Sequence, residues 1–351
     1  MRWVLAVALG LLLGAVAAAS ERPSSLDLRV DSLSRSALLS EPATALVDPA
    51  RQAAAIRRAH WTVVGFVLIQ LFEAAALFYL WNSGSAAALR DRLRRRFSRE
   101  WAVRFWFGAM LALVARVAAF IPSFYLYRVD RTLDLTFELT RIWALYWIFH
   151  TIVGMIVAGL IAAIVLWLAS RTHQWYAYAI AGVLAVSVAW SYLNPVSIAR
   201  FAGSTPAELI YLNDYVRGYA VHGDHLSIAL IEGGIIIVFA ALAVVIADRI
   251  RFRRDDDPLS RLAIVGTLLA LVYLAAVPVR NAILRSYVLD TDAYAVALSD
   301  DRAAAVRALV RAGDQRMEEV CPELTAMLFL YTAPGIGARV AAINHIPSGC
   351  P

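Results

Sequence analysis

The run "IWALYWIFHTIVGMIVAGLIAAIVLWL", residues 142–168, contains no charged side chain. As a helix rising about 1.5 Å per residue it exceeds the roughly 30 Å hydrocarbon core of a bilayer. A helix at the surface of a soluble domain carries an apolar stripe, whereas this one is apolar around its whole perimeter, which predicts a membrane span. The rest of the chain agrees. Its 351 residues are 61% hydrophobic and only 17% charged, far to the apolar side of soluble composition. Further apolar runs of span length lie at 3–19, 61–81, 101–121, 176–193, 227–247 and 262–279. The expected fold is an all-α integral membrane protein, with six or seven transmembrane helices around a cavity and a small helical extramembrane cap.

The first run differs from the others. Arg2, the short apolar "WVLAVALGLLLGAVAAA" and the small-residue "AAASERPSS" have the three parts of a secretory signal, with cleavage expected after Ala19. Uncleaved, it would be the first span. Arginine sets the orientation, since the 33 basic residues include no lysine. "LRDRLRRRFSRE" (89–100) and "DRIRFRRDDDPLSR" (248–261) are dense in arginine beside spans, and both are expected on the cytoplasmic side. Alternation then puts 20–60, 122–141, 194–226 and 280–351 on the opposite side, the periplasm if the membrane is a bacterial inner membrane. Cys321 and Cys350 both fall in the last of these segments, where a disulfide would persist; a disulfide and two free thiols remain equally open.

The chain accordingly divides into a signal or first span (1–20), a polar extracytoplasmic segment (21–60), a four-helix transmembrane region (61–193) and a short connecting region (194–226). Two further spans (227–279) and a helical C-terminal part (280–351) complete it. Ionisable groups inside spans are expensive and therefore candidates for function. They are Glu73 in "LIQLFEAAALF", for which Arg104 and Arg116 of the next span are possible partners, His150 in "WIFHTIVGM", and Glu232 in "ALIEGGIII". Glu232 follows His225 by two helical turns on one face, and a packing role beside Gly233 and Gly234 is the alternative. Nucleotide-binding loops and C-x-x-C pairs are absent, and the arginine run beside a span reads as positive-inside anchoring, so no nucleic-acid partner is expected.

"VHGDHLSIAL" (221–230) places His222 and His225 at i and i+3, a spacing at which two imidazoles can face one ion if the segment is helical. With Asp290 or Asp292 they would make an improvised site acceptable to zinc. Gly223 stands where a water-activating glutamate would follow the first histidine, so a polar helix cap without metal is the competing reading.

Toward the C-terminus stand Asn281, Arg285, Asp292 in "DAYAVAL", then "SDDRAAAVRALVR" and "LFLYTAPGIGARVAAIN". In this order they resemble the integral-membrane zinc metallopeptidases of the type I CAAX prenyl protease class. Upstream, "FYLYRVDRTLDLTFELTRIWALYWIF", "NPVSIARF" and "LIYLNDYV" are similar to further parts of that family, so the resemblance covers nearly the whole chain in order. It implies a zinc site built on an H-E-x-x-H helix, a third ligand one turn before Asp292, and a histidine near the end of the chain. The sequence departs from all of these. No H-E-x-x-H occurs, the third-ligand position is Val288, the terminal histidine position is Ala333, and only "AGSTPAE" stands where the family has a longer stretch carrying a sheet. The expectation is a membrane-embedded metallopeptidase-like protein without catalysis and without a cofactor. It would act by binding hydrophobic peptides or a membrane protein, with the lipid bilayer as its surroundings. The alternative is an active zinc metalloendopeptidase using His222, His225 and an aspartate.

Overall fold

Asp48 and Pro49 start the first long helix. The Asp48 carboxylate accepts the Ala50 N–H at 2.8 Å, satisfying one of the unpaired donors of the first turn, and proline at the first helical position has no N–H to satisfy. That helix, α3, runs from Pro49 to Asn82, about 51 Å at the helical rise. A second long helix, α11, runs from Pro258 to Ser299 and begins with the same device, Asp257 accepting Leu259 N–H at 2.9 Å. At about 63 Å it is twice the thickness of a hydrocarbon core. Both helices therefore continue out of the membrane, and the cap is built on their outer ends.

The structure, a computed structural model, describes residues 29–133, 135–136, 138–193, 204–221, 224–249 and 257–350. Within them the chain is all-α. A 3-10 turn (Arg29–Ser32) and the short helices α1 (Arg35–Ser40) and α2 (Ala43–Leu46) precede α3. Then come α4 (Ser85–Arg96), α5 (Glu100–Ala118), α6 (Phe120–Thr132), α7 (Thr140–Arg171) and α8 (Trp175–Leu193). After α9 (Pro206–Val221), α10 (Asp224–Arg249) and α11, the chain ends in α12 (Arg302–Arg316), α13 (Leu324–Phe329) and α14 (Ile336–Asn344).

Five helices among the described residues, not six or seven, are long and apolar enough to cross a membrane: α3, α5, α7, α10 from Leu226, and α11. The run at 3–19 lies outside the described residues, and 176–193 yields a shorter apolar stretch, Trp175–Trp190. Two helices run unbroken across positions 60 and 279, where the sequence reading divides the chain. Residues 49–60 are helical and continuous with the span that follows, and nothing breaks α11 at 279, although Pro278 inside it removes one backbone donor. Side chains that would be buried in a soluble fold stay on the surface here, with Ile161 57% and Val238 64% exposed, as lipid-facing positions require.

Helices α5 and α7 pack closely because glycine faces each contact. A Cβ on Gly108 would sit 2.6 Å from the Ala162 Cβ and 2.8 Å from the Ala158 carbonyl oxygen, and one on Gly159 would sit 2.8 Å from the Phe105 carbonyl oxygen. This is the small-residue contact by which membrane helices approach when no hydrophobic force separates helix from lipid. In α10 only Gly233 plays that part, facing Leu184 of α8; a Cβ on Gly234 would meet nothing.

Contacts join segments that the arginine reading puts on the same side. Arg90 and Arg94 of α4 meet Asp257 at 3.6 and 3.0 Å, and Arg90 donates to Ser260 Oγ at 3.2 Å, so α4 and the start of α11 come together on one face. On the other face the four remaining segments converge. Val30, Leu38 and Leu46 share a core with Tyr211, Ala295, Val306, Val310 and Val340, and Arg58 bridges Asp130 (2.8 Å) to the Arg316 carbonyl (3.2 Å). This cap is closed by a disulfide between Cys321 and Cys350.

Candidate functional site

Beyond the membrane, α11 presents one stripe to the cap. Asn281, Arg285, Val288 and Asp292 follow one another at helical spacing; Asn281 and Asp292 are each 2% exposed. The short helix α13 ends against this stripe. Its last carbonyls have no partner in their own helix. Asn281 Nδ2 donates to the Leu328 carbonyl at 2.9 Å, and Arg285 donates to the carbonyls of Met327 and of Tyr331, the latter at 3.0 Å. A cation at the negative end of a helix is favourable, so both residues act here as a cap for α13.

Asp292 is held from two sides. Arg339 of α14 donates from Nε to one carboxylate oxygen and from Nη2 to the other, both at 2.7 Å, and the Tyr211 hydroxyl donates to Oδ1 at 2.8 Å. The guanidinium lies over the Tyr215 ring, 5.8 Å from its centroid. Burial and the adjacent carboxylate push the Tyr211 hydroxyl well above its ordinary range. Burial opposes the Arg339 cation, but Asp292 outweighs it and holds the guanidinium charged. Three charge-assisted hydrogen bonds thus engage both oxygens of Asp292, the arrangement of a structural ion pair. As a ligand for zinc this carboxylate is a poor fit, because three of its four lone-pair positions are taken and the Arg339 cation lies against both oxygens.

The other candidates are dispersed. Asp290 is exposed on the far side of α11. His222 lies outside the described residues, and so does the side chain of His225 near the start of α10. Among the described residues no three His, Cys, Asp or Glu side chains are gathered for a metal. Glu73 pairs with Arg116 at 3.7 Å, while Arg104 lies 4.0 Å from Glu100. His150 is exposed on α7 with Nδ1 2.8 Å from the Tyr146 carbonyl oxygen. Glu232 accepts from Arg280 Nε at 2.8 Å, an ion pair between α10 and α11 that sequence reasoning did not anticipate.

Two features carry no strong sequence signal. Arg311 is buried in the cap between Glu208 (2.9 Å) and Asp31. The second is a cavity of about 230 Å³ where α3 meets the cap, lined by Ile56, Arg57, His60, Trp61, Glu319, Glu323, Thr325 and Ala326. Glu319 is 3% exposed, and its Oε2 has no hydrogen-bond partner. Burial, then the charge of Glu323, raises its carboxyl to about 7, against which the Tyr331 hydroxyl works. Three acids in the six residues 318–323 were the only hint, and an acidic cluster in an extramembrane loop ordinarily means a solvated surface.

No protein-family model matches this chain, and no curated protein matches it in sequence.

Proposed function

We propose that this multi-pass membrane protein is a metallopeptidase-like binding protein without catalysis, whose membrane-embedded helices and cap engage hydrophobic peptides or a membrane protein. The observation that supports this reading most is the engagement of Asp292 by Arg339 and Tyr211. A metal on Asp292 would have to compete with three hydrogen bonds and sit beside the Arg339 cation in a buried setting, and Val288 one turn earlier offers no donor atom. The resemblance to the CAAX prenyl protease class then reflects a shared scaffold, with Asn281 and Arg285 capping α13. The localisation we propose is the bacterial inner membrane with the cap in the periplasm. The Cys321–Cys350 disulfide in the cap suits an oxidising compartment, and the arginine-rich segments on the opposite face suit the cytoplasm.

The test is to offer the detergent-purified full chain a fluorescent prenylated peptide and follow anisotropy and cleavage together. Saturable binding with no cleavage, unaffected by chelator, is the expected result. Cleavage that chelator abolishes would establish the alternative, an active zinc metalloendopeptidase using His222, His225 and an aspartate.

A further inference from the structure

The cavity beside Glu319 has two walls of opposite charge. Arg57, His60 and Trp61 stand on one face of α3, at positions i, i+3 and i+4. Opposite them are Glu319, in the loop between α12 and α13, and Glu323, at the start of α13, where its side chain makes no capping hydrogen bond. Glu319 is 3% exposed with Oε2 unpartnered. A buried carboxylate oxygen without a donor is costly and calls for an explanation. An ammonium group, with three N–H donors, would satisfy it once the carboxylate of Glu319, which lines the cavity, turns toward it.

Depth in the membrane narrows the ligand. Trp61 is 42% exposed and packs edge-on against Tyr125, 5.7 Å away, as residues of an interfacial aromatic belt do. Deeper along α3 the exposed Leu68, Leu71 and Phe72 face lipid, and Arg57 lies a turn further out. The cavity thus opens at headgroup level. Its volume of about 230 Å³ falls below the range of about 300–1,000 Å³ that holds a drug-sized ligand, too small for a peptide segment.

We infer that this cavity binds the headgroup of an aminophospholipid, the primary ammonium on Glu319 and Glu323 and the phosphate on Arg57 and His60, with the acyl chains running down the exposed face of α3. The ligand requires both charges. A glycerol headgroup has hydroxyl donors but no cation to set against Glu319 and Glu323, and a trimethylammonium has no N–H to give. This lipid site is independent of peptide binding and stands whether or not the protein has a catalytic centre.

The experiment uses native mass spectrometry of the full-length, delipidated protein with equimolar short-chain phosphatidylethanolamine, phosphatidylcholine and phosphatidylglycerol. Phosphatidylethanolamine retained at least tenfold over phosphatidylglycerol and phosphatidylcholine is the expected result. Glu319→Gln, Glu323→Gln and Arg57→Gln should each lower that retention at least fivefold; Glu323 and Arg57 are exposed, so their variants fold even if Glu319→Gln does not. Equal retention of the three lipids, or retention unchanged in the folded variants, would overturn the site. Free phosphoethanolamine should bind at least tenfold more weakly than the lipid. Equal affinity would overturn the lipid source in favour of a soluble phosphoamine.

Discussion

Replacing Arg339 by methionine isolates what the ion pair does. The substitution keeps most of the aliphatic stem and removes two hydrogen bonds of 2.7 Å, leaving Asp292, 2% exposed, with Tyr211 alone. Breaking a buried pair by removing one partner typically costs about 3–5 kcal/mol, because the surviving charge is stranded. Tyr211→Phe deletes one hydrogen bond to a charged acceptor and should cost about 1.5–3 kcal/mol. The double replacement Asp292→Leu with Arg339→Met removes both charges together and should recover most of the Arg339→Met loss. Unfolding of the purified protein by denaturant, followed by tyrosine and tryptophan fluorescence, measures all three. Arg339→Met costing less than about 1 kcal/mol, or a double variant no more stable than Arg339→Met, would refute the assignment of Asp292 to structure.

Other expectations follow from the same geometry. Glu319 has a folded-state value raised to about 7 from an ordinary 4.5, so its contribution to stability is complete below pH 4.5 and is lost as pH rises through 7. The loss is up to about 3 kcal/mol by linkage, and Glu319→Gln should flatten that slope in denaturant midpoints taken across this range in the absence of aminophospholipid. Asp314 is raised by burial too, with Arg51 opposing, and leaves a smaller slope of the same sign in that variant. Gly108→Ala forces a methyl against the Ala158 backbone and should lower stability by about 1–3 kcal/mol, whereas Gly154→Ala, which meets nothing, should be neutral or stabilising in the same denaturant assay. Replacing Cys321 and Cys350 by serine together opens a loop of sequence separation 29 and should cost about 3–4 kcal/mol; an unchanged denaturant midpoint would mean the bridge does not constrain the unfolded chain.

Periodicity and charge made the membrane class legible. Long apolar runs, and arginine densest at 89–100 and 248–261, put 20–60, 122–141, 194–226 and 280–351 together on the opposite side, and the cap core built from Val30, Leu38, Tyr211 and Val306 draws on three of those segments. Helix ends were less legible, because α3 and α11 continue past the bilayer and the change of surroundings leaves no mark on the backbone. Pairing was the least legible. Glu232 with Arg280 and Asp292 with Arg339 join residues 48 and 47 positions apart, and a carboxylate in sequence does not reveal whether it awaits a metal or a guanidinium. The cavity at Glu319 was invisible for the same reason, since its two walls come from α3 and from the loop before α13.

The most direct test of the central claim is zinc per chain in the detergent-purified protein, measured beside a variant carrying His222→Ala and His225→Ala. A content no higher than the variant's is what a non-catalytic scaffold with Asp292 committed to Arg339 predicts. Near-stoichiometric zinc that disappears in the variant would contradict it.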